Sequence, residues 1–353
     1  MDNPRVMAPV EWPIAARSQD PAATPARRAD RGRLSTVRAD FFLDPATRLT
    51  EQERALMTSM LADLVATVAD EIRVAAGLRS EAANDRGAEL FERLAESGLL
   101  DVPDLIALLL CRAEQERVAA AIRPRGGGGP ASFLHSLAAS DDAEVSAAAM
   151  AAILARSRRR DRFDAPRVDL NDVPADAAVQ LVYAVAAGLR AEAGSAADAD
   201  RRVADGAAAV LSRHDEGKRM EALSFALVHA LDRSGCLDDS ALRAALADGE
   251  LGIFAEGLSR RAGVDSETAW NSLAGGGRGF ACLLRMAAVP RQVAAEIAAV
   301  MGDTGALGPA ELIGLFDRLS EEQVAGARDW LRLDRHFRDA VTELGGARGH
   351  PAD

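Results

Sequence analysis

The stretch TEQERALMTSMLADLVATVADEIRVAAG, residues 50–77, predicts a long α-helix. Thr50 and Glu53 match a capping box, in which two side chains satisfy the free backbone amides of the first helical turn. Gly77 is typical of a helix end. Between them, apolar residues recur at helical spacing. We expect the resulting stripe to be buried, either in the core of the chain or across a dimer axis: Met57, Leu61, Leu64 and Val68.

The rest of the sequence also predicts helices. It is rich in alanine, the strongest helix former, and no segment sustains the two-residue alternation of a strand. We therefore predict an all-α fold with essentially no β-sheet. Glycines at 98, 235 and 305 are each followed by a leucine two residues later and by another at a helix start. Their unequal spacing leaves two architectures open, a HEAT-like helical repeat and an irregular multi-helix bundle.

Composition shifts along the chain predict its domain organisation. Residues 1–38 are rich in proline, alanine and arginine and are predicted to form a disordered tail. Residues 39–125 are predicted to form a helical subdomain that contains the long helix, and residues 126–130 a glycine- and proline-rich linker. A C-terminal helical-repeat domain is expected over residues 131–345, followed by a disordered tail over 346–353.

The chain of 353 residues has a formal net charge of −12. Such a chain is repelled by nucleic acid phosphates, so no nucleic acid partner is expected. Apolar stretches are too short to span a bilayer, and the first residues lack the pattern of a signal peptide. Three widely spaced cysteines indicate no disulfide framework. These features predict a cytoplasmic protein without a membrane span.

No sequence pattern typical of catalysis or metal binding stands out. The five histidines lack metal-ligand spacing, and we interpret His214 and His229 as structural residues. The glycine-rich stretches 126–129 and 275–279 lack the lysine and hydroxyl residue of a phosphate-binding loop. We therefore expect no catalytic residue, no cofactor and no metal.

An arginine cluster is the strongest local charge feature of this acidic chain: Arg156, Arg158, Arg159, Arg160 and Arg162. One interpretation is a solvated helix end, where cations complement the helix dipole. The other is a partner contact, because guanidinium groups bind carboxylates and phosphates in a bidentate manner. The partner would be an acidic or phosphorylated protein. On either interpretation, exchange of Arg158, Arg159 and Arg160 for Ser is expected to leave the fold intact.

Two blocks around this cluster carry a family resemblance. The runs ARSRRRDRFDAPR from Ala155 and LNDVPADAAVQLVYAVAAGLR from Leu170 resemble an alphaproteobacterial family, domain of unknown function 2336. Further similar blocks extend the resemblance over about residues 40–301. It implies a helical, bacterial and cytoplasmic protein, and it carries over no catalytic residue.

These observations favour a non-enzymatic protein–protein interaction module with a regulatory or adaptor role. One alternative is a signalling component related to two-component systems, with the long helix as the element of a homodimer. Another is an enzyme whose site is assembled from residues distant in sequence. A DNA-binding regulator is disfavoured by the negative charge.

Overall fold

The computed structural model describes residues 49–78, 83–123, 132–193, 198–302 and 308–344. Within these ranges the chain forms sixteen α-helices and no β-strand, apart from an isolated bridge between Arg160 and Pro166. The prediction of an all-α fold is confirmed. In the same ranges no helix is both long enough and apolar enough to cross a membrane. The predicted tails at 1–38 and 346–353 and the predicted linker at 126–130 lie outside the described residues.

The helices follow one another with short connections, and two 3₁₀ turns, Leu170–Asp172 and Glu216–Lys218, lie among them. Their bounds are α1 Glu51–Ala75, α2 Ala83–Glu96, α3 Pro103–Ile122, α4 Phe133–Ala138, α5 Ala143–Arg158, α6 Ala175–Leu189, α7 Ala199–Leu211, α8 Met220–Arg233, α9 Asp239–Ala247, α10 Leu251–Ala262, α11 Ser266–Gly275, α12 Gly277–Met286, α13 Arg291–Met301, α14 Pro309–Arg318, α15 Glu321–Leu331 and α16 Arg335–Glu343.

Helix α1 is the predicted long helix, and it packs inside the chain. It begins one residue after Thr50 and ends two residues before Gly77, whose φ of +65° lies in the left-handed region. Of the predicted stripe, Leu64 and Val68 are buried, whereas Met57 and Leu61 are half-buried. Helices α2, α3, α6 and α7 of the same chain surround α1. The stripe is therefore a core stripe, and dimerisation of the chain stays a prediction.

Helices α1, α2, α6 and α7 and the first half of α3 build one hydrophobic core. Helices α1 and α7 approach closely at Gly206, where a Cβ atom would lie 3.2 Å from the carbonyl oxygen of Ile72. A glycine removes this steric conflict, and the neighbouring Ala76 is also small. Small residues at this crossing let the helix backbones approach one another.

A second core is built by the second half of α3 together with α4, α5 and α8–α15. Phe254 of α10 and Leu227 of α8 lie fully buried at its centre. Helix α3 enters both cores, with Leu105 in the first and Ile122 in the second. Helices α6 and α7 follow the predicted linker in sequence but pack into the first core. The two cores are thus interleaved along the chain.

Two of the three predicted glycine turns are helix ends of the same kind. Gly98 and Gly235 both have φ near +70°. After α2, the amide of Leu99 donates to the carbonyl of Leu94, and that of Gly98 donates to Ala95. The amides at Cys236 and Gly235 make the equivalent bonds after α8. This is the Schellman pattern, which requires a left-handed residue and favours glycine. The third glycine, Gly305, lies outside the described residues.

Candidate functional site

The predicted arginine cluster lies where α5 ends and the chain reverses direction. We call residues 156–167 the arginine segment. After α5 the backbone folds back on itself, because the amide of Arg167 donates to the carbonyl of Arg159 and the amide of Asp161 donates to Ala165. The segment therefore forms a narrow turn in an otherwise helical fold.

The tip of this turn is held by one carboxylate. Oδ1 of Asp161 accepts hydrogen bonds from the amides of Phe163, at 2.7 Å, and Ala165, at 2.8 Å. These bonds hold the pKa of Asp161 below its ordinary value. Asp164 adopts a φ of +63°, a left-handed conformation that aspartate tolerates better than most residues. Local hydrogen bonds thus fix the backbone at the tip.

The outer side of the arginine segment consists of Arg158, Arg162 and Phe163. Phe163 is 74% exposed, and the guanidinium carbon of Arg162 lies 4.6 Å from the centre of its ring, a cation–π contact. Arg158 and Arg162 are exposed. Among the described residues, neither arginine has a carboxylate within ion-pair distance. These two guanidinium groups and the ring face solvent.

The inner side begins with Arg159, which is only 9% exposed. Its guanidinium binds the fully buried carboxylate of Asp172 in a bidentate manner, with both N–O distances at 2.6 Å, and donates further to the carbonyls of Ala155 and Lys218. The expectation that Arg159 belongs to an exposed cluster is therefore wrong. Removal of Arg159 would leave a buried charge on Asp172, so its exchange for Ser is not a neutral surface change.

Asp172 connects several elements of the fold. Besides Arg159, its carboxylate accepts a hydrogen bond from the amide of Met220, at 3.0 Å, and lies 3.8 Å from Arg112. Burial alone would raise the pKa of this carboxyl group. The hydrogen bond from Arg159 and the positive charges of Arg112 and Arg159 outweigh burial, so the pKa lies below its ordinary value.

Arg156 and Arg160 also bind carboxylates of the chain. Arg160 makes two hydrogen bonds to Glu116 of α3, at 2.6 and 2.7 Å, and Arg156 binds Glu250 at the start of α10. Burial raises the pKa of Glu250, although nearby arginines oppose this shift. Three of the five predicted arginines are therefore engaged in ion pairs inside the chain.

The inner side of the segment borders a cavity of about 390 Å³ that we call the inner cavity. Its walls come from both cores: α3, the arginine segment and the first turns of α8, α10 and α11. Five glutamates and seven arginines line it, and the arginines are Arg112, Arg123, Arg156, Arg159, Arg160, Arg167 and Arg219. Asp172 and Asp63, which bind Arg159 and Arg167, bring two further carboxylates close to this wall.

Other residues considered from the sequence have structural contacts. The ring of His229 stacks on Phe225, with centroids 6.0 Å apart, and Nε2 of His214 lies 2.9 Å from the carbonyl oxygen of Val173. Gly276 and Gly277 have positive φ and form the turn between α11 and α12. In the described part of the chain, no group of three or more potential ligand side chains is arranged to hold a metal ion.

Comparison with known proteins identifies the family. A family model described as an uncharacterised protein conserved in bacteria (DUF2336) matches residues 92–328, more than half of the chain. The chain belongs to the DUF2336 family. No curated protein and no solved structure matches it significantly. The predicted resemblance is confirmed at the level of a bacterial family.

The DUF2336 match contains the whole arginine segment and most of the cavity wall. Glu116, Asp172 and Glu250, the carboxylates bound by the segment, all lie inside it. Helix α1 precedes the match, yet it provides Met60 to the cavity wall and packs in the first core. The candidate site is thus a feature of the DUF2336 region, completed by one helix outside it.

Sequence reasoning missed the arginines that reach the cavity from other elements. Arg112 and Arg123 lie on or beside α3, and Arg219 precedes α8. Each lies outside the predicted cluster in an arginine-rich chain, and no local pattern distinguishes it from a surface residue. Only the packing of the two cores brings these side chains around one space.

Proposed function

We propose that this DUF2336 protein is a non-enzymatic protein–protein interaction module, with a regulatory or adaptor role in the bacterial cytoplasm. The observation that carries the proposal is the outer side of the arginine segment, where an exposed phenylalanine stacks with an exposed arginine on a braced turn and a second arginine, Arg158, is exposed nearby in sequence. Because α1 buries its apolar stripe inside the chain, this turn is a better binding element than α1.

Exposure of the Phe163 ring to water is unfavourable, and its burial in a complex would be favourable. Burial of an aromatic side chain stabilises an association, and aromatic residues and arginine dominate the binding energy of protein interfaces. Phe163 and Arg162 combine both types in adjacent positions. A partner that encloses the ring would gain apolar burial and a charge contact from the same two residues.

The rigidity of the turn supports the same function. Ordering of loops at an interface reduces affinity, so a turn that is already ordered binds at a lower entropic cost. Asp161 holds the tip through two backbone amides, and Nη1 of Arg160 donates to the carbonyl of Asp164 at 3.1 Å. The inner ion pair of Arg160 with Glu116 thereby anchors the turn to α3.

The charges of the outer side define the chemistry of the partner. Among the described residues, the exposed Arg158 and Arg162 have no ion-pair partner, and guanidinium groups bind carboxylates and phosphates best. The partner surface should therefore contain an apolar pocket for Phe163 with acidic or phosphorylated residues at its rim. Such an interface is expected to weaken as ionic strength rises.

Site-specific cross-linking tests this proposal. The photoreactive residue p-benzoylphenylalanine is placed at position 163 of the full chain in the native bacterium, and cross-linked proteins are identified by mass spectrometry. The same residue at Tyr183, an exposed aromatic position on α6, is the matched control. We expect a discrete adduct from position 163 that position 183 does not give.

Charge variants then separate a specific adduct from background. Exchange of Arg158 and Arg162 for Ser should reduce the adduct several-fold, and higher salt in the lysate should do the same. An adduct that is unchanged by both treatments, or that forms equally at position 183, would contradict the proposal.

A further inference from the structure

The inner cavity has the features of a ligand site that is separate from the outer side. We infer that it binds a small organic anion with an apolar body and a phosphate or carboxylate head. Its volume of about 390 Å³ lies in the range of small-molecule sites in proteins. The cavity also lies where the two cores meet, a position that is common for ligand sites.

Positive charge in the cavity is least neutralised at two of its seven arginines. Five of them bind carboxylates of the chain, Arg159 and Arg167 through Asp172 and Asp63, whereas in the described structure Arg123 and Arg219 have no carboxylate closer than 3.8 Å. An anion close to these two guanidinium groups meets an attractive potential, and the low-dielectric protein walls strengthen it. An uncharged or cationic ligand gains nothing from this arrangement.

Within the described structure, three of the lining arginines have donors without a close acceptor. Among the described residues, Arg123 has no carboxylate within 4 Å. Arg219 has carboxylate oxygens no closer than 3.8 Å, from Glu216 and Glu221. In the described structure, the Nε atoms of Arg219 and Arg112 are buried without a hydrogen-bond partner. A buried donor without an acceptor is unfavourable, so an anion that supplies acceptors would be stabilised here.

The other arginines hold the cavity in shape. Arg160 is fixed on Glu116 and Arg156 on Glu250, which ties the arginine segment to α3 and α10. Arg112 is fixed on Glu221 at 2.8 Å, which ties α3 to α8. The unused donors of Arg123 and Arg219 are therefore presented by a wall that is already ordered, which favours binding of a small ligand.

Another part of the wall is apolar and favours a ligand body that matches it. Met60 of α1, Ile253 of α10 and Trp270 of α11 line the same space. Cys111 also lines it, and burial raises the pKa of its thiol to about 11. The thiol is thus protonated at neutral pH and behaves as a small apolar group, which indicates binding rather than nucleophilic attack. The ligand class that fits both walls is an organic anion.

Titration of the purified full chain with phenyl phosphate tests this inference. Isothermal calorimetry measures affinity, and quenching of Trp270 reports location, with Trp270→Phe as the variant that should lose the signal. Inorganic phosphate lacks the apolar body and phenol lacks the charge. We expect phenyl phosphate to bind at least about tenfold more tightly than either, since burial of the ring and pairing of the charge each contribute that much. Benzoate in place of phenyl phosphate shows whether the preferred head is carboxylate or phosphate.

Arginine variants assign the binding to the cavity. Arg123→Gln and Arg219→Gln should each weaken phenyl phosphate binding about tenfold. Arg233→Gln removes an exposed arginine of α8 that pairs with Glu144 outside the cavity, and it should leave the affinity unchanged. Circular dichroism confirms the fold of each variant. Absence of phenyl phosphate binding at about 10 mM, or equal affinity in all three variants, would overturn the inference.

These outcomes are independent of the proposed protein contact. Loss of phenyl phosphate binding in Arg123→Gln should not change the cross-link from position 163, because Arg123 lies on the inner cavity and Phe163 on the outer side. Conversely, exchange of Arg158 and Arg162 for Ser should leave the affinity for phenyl phosphate at the wild-type value.

Discussion

Arg158 and Arg159 are neighbours in sequence, yet the structure uses them in opposite ways. Arg158 faces solvent at the end of α5, whereas Arg159 is buried in a bidentate pair with Asp172. The same division runs through the whole arginine segment, with Arg162 outside and Arg156 and Arg160 inside. A charged side chain at a helix end is therefore not always exposed, because a carboxylate from another element can pair with it in the protein interior.

The energetic consequences of the two sides differ. On the inner side, Arg159 and Asp172 satisfy each other in the protein interior, so that removal of one leaves the other uncompensated. On the outer side, water already solvates the guanidinium, and its removal costs little. Substitution of an inner arginine should therefore lower the free energy of unfolding more than substitution of an outer one. For binding of a protein partner we expect the opposite order, with the larger loss of affinity from the outer arginines.

The largest effect is expected from Arg159→Ala. Because Asp172 is fully buried, loss of its partner should reduce the free energy of unfolding by about 3–5 kcal/mol. Urea unfolding followed by circular dichroism measures this difference, with Arg158→Ala as the matched control at about 0.5 kcal/mol or less. Equal effects of the two variants would show that burial does not distinguish the two arginines.

A comparable test applies to the buried and the exposed face of α1. Leu64 is 1% exposed in the first core, so Leu64→Ala should cost about 2–5 kcal/mol. Ser59→Ala, on an exposed position of the same helix, should change stability by about 0.5 kcal/mol or less. Thr67 is a less suitable control, because its hydroxyl oxygen accepts a hydrogen bond from Arg167 at 3.1 Å. If Ser59→Ala were as harmful as Leu64→Ala, the buried face of α1 would be misplaced.

The Arg159–Asp172 pair should also give stability a specific pH dependence. The pKa of Asp172 is lowered in the folded chain, so its contribution is present above the unfolded value of about 3.9 and is lost as pH falls through the folded pKa. In Arg159→Ala, burial without the partner should raise this pKa. The variant then gains stability relative to wild type on acidification.

Urea unfolding midpoints at neutral pH and near pH 4 check this expectation. The stability gap between wild type and Arg159→Ala should shrink by about 1 kcal/mol or more at the lower pH, since one unit of pKa difference corresponds to about 1.4 kcal/mol. A gap that stays constant with pH would show that the cost of Arg159→Ala comes from lost packing alone.

The smallest effect on stability is expected from Phe163→Ser. The ring is mostly exposed and contacts Arg162 at the tip, so the change in unfolding free energy should be about 0.5 kcal/mol or less. Asp161→Ala is the contrasting variant, because it removes the acceptor of two backbone amides and should loosen the turn. Thermal unfolding measures both, and a large loss in Phe163→Ser would show that the ring packs against the fold.

Local sequence signals predicted the helices well, because helix formation depends on spacing and on terminal residues. The pattern from Thr50 to Gly77 placed α1 within a residue or two at each end. Gly98 and Gly235 marked helix ends, because the left-handed φ that ends a helix is adopted more readily by glycine than by other residues. The family was also recognisable from the blocks that surround the arginine cluster.

The candidate site was predictable only in part. The cluster Arg156–Arg162 was visible as a charge feature, and its outer members keep the predicted exposure. The division of the cluster into buried and exposed arginines could not be predicted from the sequence. Asp172 and Glu250 are 13 and 94 residues from the arginines they bind. Exposure of a charged residue depends on such distant partners, and no local pattern reports them.

By itself, the sequence determined the all-helical character, the ends of several helices and the membership of the DUF2336 family. These properties follow from local spacing, from helix caps and from blocks of residues in order. The tertiary structure alone decided that helices after the predicted linker return to the first core, and that seven arginines surround one cavity. The physical reason is that burial and ion pairing are set by long-range packing, which brings α3, α5, α8 and α10 together although they are far apart along the chain.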